Sequence, residues 1–143
     1  MTYDNTNAAH QGISPELDEL SSTLMGDALD LLAEGEDMGI LVAIQDSDGK
    51  VESFEFADDG PAALLEGARM SVRRSRRGLR YALTYVGAIE MQDGSYEEAL
   101  ILEFGEKGRP SFSAYSLFDG RGKGDGFRWS EPAPAGEEEP LLG

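Results

Sequence analysis

Six arginines stand within twelve residues of this chain: Arg69, Arg73, Arg74, Arg76, Arg77 and Arg80, with no acid between them. The rest of the 143-residue sequence holds six further bases and all 28 acids, and the net charge is −16. Arginine forks bind carboxylate or phosphate through paired N–H bonds. Steps of 4, 3, 1 and 3 place Arg69, Arg73, Arg76, Arg77 and Arg80 within roughly a third of a helix circumference, provided the helix continues to Arg80. Arg74 points elsewhere. On that reading the five arginines form a docking strip for an acidic or phosphorylated protein partner. The same residues also suit structural uses. Cations are favoured by about 0.3–1 kcal/mol at a helix C-terminus, and the chain's own acids are available as counter-charges.

Other residue groups invite chemistry less strongly. The loop Asp119-Gly120-Arg121-Gly122-Lys123-Gly124-Asp125-Gly126 alternates glycine with charge, and its freed amides with Arg121 and Lys123 suit a phosphate. It precedes a short strand rather than a helix, so no helix dipole is aimed at it and a flexible strand-to-strand connection accounts for it better. Carboxylates pair at Glu52/Glu55, Asp58/Asp59, Glu97/Glu98 and Glu103/Glu106. A carboxylate-based hydrolase needs two carboxyls about 5–10 Å apart in a cleft. Among 28 acids such pairs arise by chance, and no catalytic residue is assigned. Asp46-Ser47-Asp48-Gly49 resembles the opening of a calcium loop, but its glycine comes early and Ala57 stands where the closing glutamate belongs. Hairpin-turn chemistry accounts for it better.

Several classes of activity lack their parts. The chain has no cysteine and one histidine, His10, so a transition-metal centre is not expected and a Ser-His-Asp triad would depend on one residue near the start. No phosphate-binding or dinucleotide-binding glycine motif and no HExxH occur. Neither a cofactor nor a metal is expected. The acidic balance, with a pI near 4.2, argues against nucleic acid and anionic membrane as partners. No apolar run approaches the ~18 residues of a membrane span. Met1–Gly12 has neither a basic start nor an apolar block, and the absence of cysteine suits a reducing compartment, so a cytoplasmic location is expected.

The elements that would position these residues follow from local signals. Residues 1–13 are polar and patternless and read as a tail. Ser14-Pro15 opens a helix, with Ser14 as cap and Pro15 where no N–H is needed. Leu17, Leu20, Leu24, Ala28 and Leu31 form its apolar stripe, Met25 and Leu32 its margin, and Gly35 its stop. Gly39–Ile44 reads as a strand covered on both faces, and Val51–Phe56 returns as the second arm of a hairpin. Asp58-Asp59-Gly60-Pro61 opens a second helix with Leu64, Leu65, Ala68 and Val72 on its apolar side, closing at Gly78. The period then switches to two over Leu79–Met91, followed by strands at Ala99–Phe104 and Ser111–Phe118 and a short one at Phe127–Trp129. The Pro- and Glu-rich stretch 131–143 reads as an acidic tail.

The expectation is a single α+β domain over 14–130, of order α-β-β-α-β-β-β(-β). An antiparallel sheet of about five strands carries two amphipathic helices on one or both faces. This order is similar to the Roadblock/LC7 and profilin-like layouts. The segment RYALTYVGAIEMQDGSYEEALILEFGEKGRP (Arg80–Pro110) resembles a stretch of small uncharacterised bacterial proteins, a resemblance that implies no activity. The function expected is a non-enzymatic protein-interaction domain of adaptor, chaperone-like or inhibitor type. A sheet face left uncovered would serve self-association as a homo-oligomer. The alternative is a small-molecule sensor with a pocket between sheet and helix. A remoter one is a carboxylate hydrolase.

Overall fold

The computed structural model describes residues 13–36, 38–56 and 61–142. The fold is α+β. Helix α1 (Pro15–Ala33) and helix α2 (Pro61–Arg73) accompany strands β1 (Ile40–Asp46), β2 (Val51–Phe56), β3 (Gly78–Glu90), β4 (Tyr96–Glu106), β5 (Ser111–Asp119), β6 (Arg128–Trp129) and β7 (Ala133–Glu138). The sheet has seven strands rather than about five, in the order β2-β1-β3-β4-β5, with β6 and β7 both paired to the outer side of β5. Every pairing is antiparallel.

Local chemistry explains the firmer boundaries. Ser14 Oγ accepts the Leu17 N–H at 3.1 Å, and Pro15 opens α1. At the other end Gly35 takes φ +77. There the Gly35 N–H donates to the Leu32 carbonyl and the Glu36 N–H to the Leu31 carbonyl, the paired bonds of a glycine-terminated helix. The buried stripe of α1 is turned slightly from the one expected. Leu29 and Leu32 are buried, and Leu31 is only partly so.

One helix packs on each sheet face. Strand alternation divides the core accordingly. Leu41, Ala43, Ala82, Val86, Leu100, Leu102, Phe104, Ala114 and Phe118 meet α1. Ile40, Val42, Ile44, Tyr81, Leu83 and Tyr85 face Ala68, Val72 and Leu65 of α2. Strand β1 is therefore buried on both sides, as its unbroken apolar run suggests.

Two sequence expectations give way. Helix α2 ends at Arg73, and residues 74–77 form a turn instead of carrying the helix to Gly78. Gly78 begins β3, where a Cβ would come within 2.8 Å of the Ile44 side chain, so only glycine lets β3 lie this close to β1. The stretch read as an acidic tail supplies β7, and Leu141 and Leu142 lie in the α2-side core. Pro134 is tolerated because β7 borders only β5, with a register shift beside it. Ile13, assigned to the first tail, is partly buried against α1's core; the remainder of that tail, His10 and Asp58/Asp59 lie outside the described residues.

Candidate functional site

The arginines do not form one helical strip. Arg69 and Arg73 are on α2, Arg76 and Arg77 on the turn after it, and Arg80 on β3. Four of the five contact the chain's own acids. Arg73 reaches Glu139 at 3.2 Å, Arg77 reaches Asp48 at 3.7 Å, and Arg80 reaches Glu106 at 3.4 Å. Arg80 also donates to the Gln45 side chain. Arg76 and Arg74 are exposed. The pairs at Arg73 and Arg77 are solvated and contribute about 0–1 kcal/mol each.

Arg69 has a different setting. Its Nε donates to Glu103 Oε1 at 3.0 Å, and its second fork nitrogen donates to Oε2. Tyr85 Oη donates to the same Oε2 at 3.0 Å. The Glu103 side chain is 5% exposed and projects from β4 toward α2. The hydrogen bond that Arg69 donates to Glu103, opposed by desolvation, raises the arginine's pKa and keeps the guanidinium charged. With both carboxylate oxygens engaged, this group ties α2 to the sheet rather than offering a free acid or base. Of the other acid pairs, Glu52/Glu55 and Glu97/Glu98 are exposed, and Glu106 is held by Arg80.

Next to it lies a buried phenol. A Cβ at Gly105 would collide with the Ser111 side chain and approach Tyr81 Cε1 to 2.9 Å, so this glycine lets Tyr81 and Ser111 share the space. The Tyr81 hydroxyl lies beside Ser111 yet makes no hydrogen bond of ordinary geometry. Burial pushes its pKa from 10.0 up to about 12. Tyr85 is raised too, by burial first and then by the Glu103 carboxylate. Both phenols thus stay protonated in the folded chain at pH values where the unfolded chain loses their protons. Stability from them is complete below pH 10 and declines as pH rises, Tyr81's share being lost as pH passes about 12. Denaturant midpoints measured from about pH 8 to pH 11.5 should fall at the alkaline end, and Tyr81→Phe should flatten that fall. An alkaline slope that Tyr81→Phe leaves unchanged would contradict the assignment.

The glycine-rich loop is occupied with α1. The Gly122 N–H donates to the Leu32 carbonyl at 2.9 Å, and an Arg121 fork nitrogen lies 3.4 Å from the Glu36 carbonyl. Gly35 and Gly122 are so close that a Cβ on Gly35 would stand 3.0 Å from Gly122 Cα. Lys123 is exposed, and the loop ends in a 3-10 turn at Gly124–Gly126. The loop therefore seals the C-terminal end of α1, spending one of its amides and Arg121 there.

A larger concave feature lies elsewhere, between α1 and the β6–β7 segment. This groove of about 1130 Å³ has Leu102, Phe104, Phe112 and Ala114 as its floor. Met25, Gly26 and Leu29 form one wall; Trp129, Pro132 and Pro134 form the other. Trp129 is 50% exposed. Asp18, Asp30, Glu131 and Glu137 stand on the lining, and no lysine or arginine does. Ser130 anchors the outer wall to β5: its N–H donates to the Leu117 carbonyl, its Oγ accepts the Leu117 N–H, and Ser116 Oγ donates to its carbonyl. On the other side of α1 a smaller cleft of about 310 Å³ lies against β1 and β2, with Glu16, Glu19, Asp27 and Gln45 in its lining.

No family model, curated protein or solved structure matches this chain.

The groove residues were not legible as a set. Its floor comes from β4 and β5, its inner wall from α1, and its outer wall from the stretch read as a tail. A faint signal existed in Trp129, a large aromatic followed by a serine, a glutamate and prolines rather than by an apolar run that would bury it. Among the described residues no cluster of histidine, cysteine or carboxylate side chains has the geometry to hold a metal ion.

Proposed function

We propose that this chain is a non-enzymatic binding domain that engages a partner protein through the groove between α1 and the β6–β7 segment. The observation that carries this reading is an apolar floor beside a half-exposed tryptophan, rimmed by acids. Aromatic anchors in a water-excluding pocket are what protein interfaces concentrate their binding energy on. At about 1130 Å³ the groove exceeds the roughly 300–1,000 Å³ typical of small-molecule sites. The arginine turn is less suited, because Arg69, Arg73, Arg77 and Arg80 already face internal acids. An acidic rim on an acidic protein also works against a second copy of this chain as the occupant.

Gly26 gives the test. A Cβ built there meets nothing within 4 Å, so Gly26→Phe should fill the groove without straining the helix. Cell extract would be passed over immobilised wild type, Gly26→Phe and Arg76→Glu/Arg77→Glu. A protein held by the wild type and the arginine variant but lost from Gly26→Phe is the expected result. Loss from the arginine variant alone would move docking to the turn after α2.

A small-molecule site is the second reading, favoured by the size of the 310 Å³ cleft and by the carboxylates and Gln45 set on its partly apolar lining. A metabolite that fills it at 100-fold its Kd should raise stability by about 2.7 kcal/mol. That stabilisation should survive Gly26→Phe.

A further inference from the structure

We infer that the groove takes a cationic amphipathic α-helix of about three turns from its partner, laid alongside α1. This rests on the groove being the binding surface. Four features of the groove specify the occupant.

The first is charge. Asp30 on the α1 wall and Glu131 and Glu137 on the outer wall flank an apolar floor whose lining holds no base, so lysine or arginine on the occupant's flanks finds counter-charges on both walls. Trp129 on the outer wall adds an aromatic face for such a cation.

The second is backbone chemistry. Strand β5 spends its ladder on β4 at one side and on β6 and β7 at the other. The floor strand β4 lies between β3 and β5. An extended segment entering the groove would find no open ladder on the floor and would bury unpaired amides. A helix brings its backbone bonds with it.

Gly26 supplies the third. It sits inside α1, where glycine costs about 0.8–1.0 kcal/mol relative to alanine. Its φ is not in the left-handed region, and apart from its chain neighbours and the adjoining helix backbone no described atom lies within 4 Å of where its Cβ would be. Among the described residues neither a turn nor a close contact accounts for it. What the glycine leaves is room in the groove wall for close approach by another backbone. Ser22, one turn earlier, is also small and lines the same wall.

Length is the fourth. From Asp18 to Asp30 the α1 wall runs about 18 Å at 1.5 Å per residue, the span of a helix of about twelve residues.

The test uses the full chain and Trp129, its one tryptophan, as reporter. The probe is a synthetic peptide of about fourteen residues containing only leucine, lysine and alanine, with the leucines at helical spacing. Two controls accompany it: the same composition shuffled so that no apolar face forms, and the segregated sequence with glutamate for lysine. The segregated cationic peptide should shift Trp129 emission to the blue and saturate, binding about tenfold or more tighter than the shuffled one. Gly26→Phe should erase that difference. Asp30→Lys/Glu131→Lys should weaken binding by about tenfold or more and reduce its sensitivity to salt.

Equal binding of the shuffled peptide would overturn the inference, because bulk charge alone would explain it. Binding indifferent to Gly26→Phe would overturn it as well. If the glutamate peptide binds in a Gly26-dependent manner as tightly as the lysine one, the groove stands as the binding surface and the cationic specification fails. If no peptide binding and no captured protein depends on Gly26, the groove itself fails.

Discussion

Arg69→Met should lower the stability of this protein by about 3 kcal/mol, one of the largest effects of any single substitution away from its apolar core. The substitution leaves the Glu103 carboxylate, 5% exposed, facing α2 without its counter-charge. It keeps the apolar stem that covers the sheet, so the loss is electrostatic rather than a cavity. The Arg69 side chain is 31% exposed, and the opposite change, Glu103→Gln, should cost less because the stranded guanidinium can still reach water. Replacing both, as Arg69→Met/Glu103→Leu, should recover much of the loss, since a buried pair exchanged for apolar groups is often neutral. Urea midpoints of the four chains form a double-mutant cycle. A double variant as unstable as Arg69→Met would show that the pair's desolvation was not what the single change exposed.

Leu141→Ala/Leu142→Ala should cost about 4 kcal/mol together, the low end of the range for two buried leucines. They are 6% and 9% exposed and lie in the same core as Val72, Tyr81 and Leu83. The chain leading to them is β7, the outer wall of the groove, and it is also held by Glu138 on Ser113 and Glu139 on Arg73. Releasing the leucines therefore loosens a wall on the opposite sheet face. Equilibrium unfolding checks the energy. Quenching of Trp129 by iodide, with wild type as reference, checks the wall. A loss below about 1 kcal/mol would mean that these side chains are not packed as described.

Much of the frame was legible because its signals are local. Ser14-Pro15 and Gly35 carry the cap and stop of α1 in their own chemistry. The apolar run at 40–44 and the period of two after Gly78 declare strands. The misses share a cause: a decision made by a distant partner. Helix α2 could have run on through the arginines, but β3 must begin at Gly78 to lie against Ile44. The stretch Pro-Ala-Pro-Ala-Gly-Glu-Glu reads as solvated chain, yet an outer strand needs hydrogen bonds on one side only, and Pro134 fits there. Leu141-Leu142 has no periodicity to announce burial. Glu103 was counted among chance acid pairs, although one acid inside Ala-Leu-Ile-Leu-Glu-Phe was a sign that a counter-charge would have to come from elsewhere. The five arginines were read as one surface. Where the helix ends decided otherwise.

The two outermost strands bear on how copies of this protein behave in crowded solution. One border of the sheet is β2, short and carrying exposed Glu52 and Glu55. The other carries β7, with a proline, a register shift and exposed Glu137. Strands that meet border to border add their charges directly across from one another, and like charges there repel. Where β2 or β7 meets another such strand, glutamates therefore face glutamates. Glutamates on β2 and β7 thus discourage the edge-to-edge growth that an uncharged border strand invites.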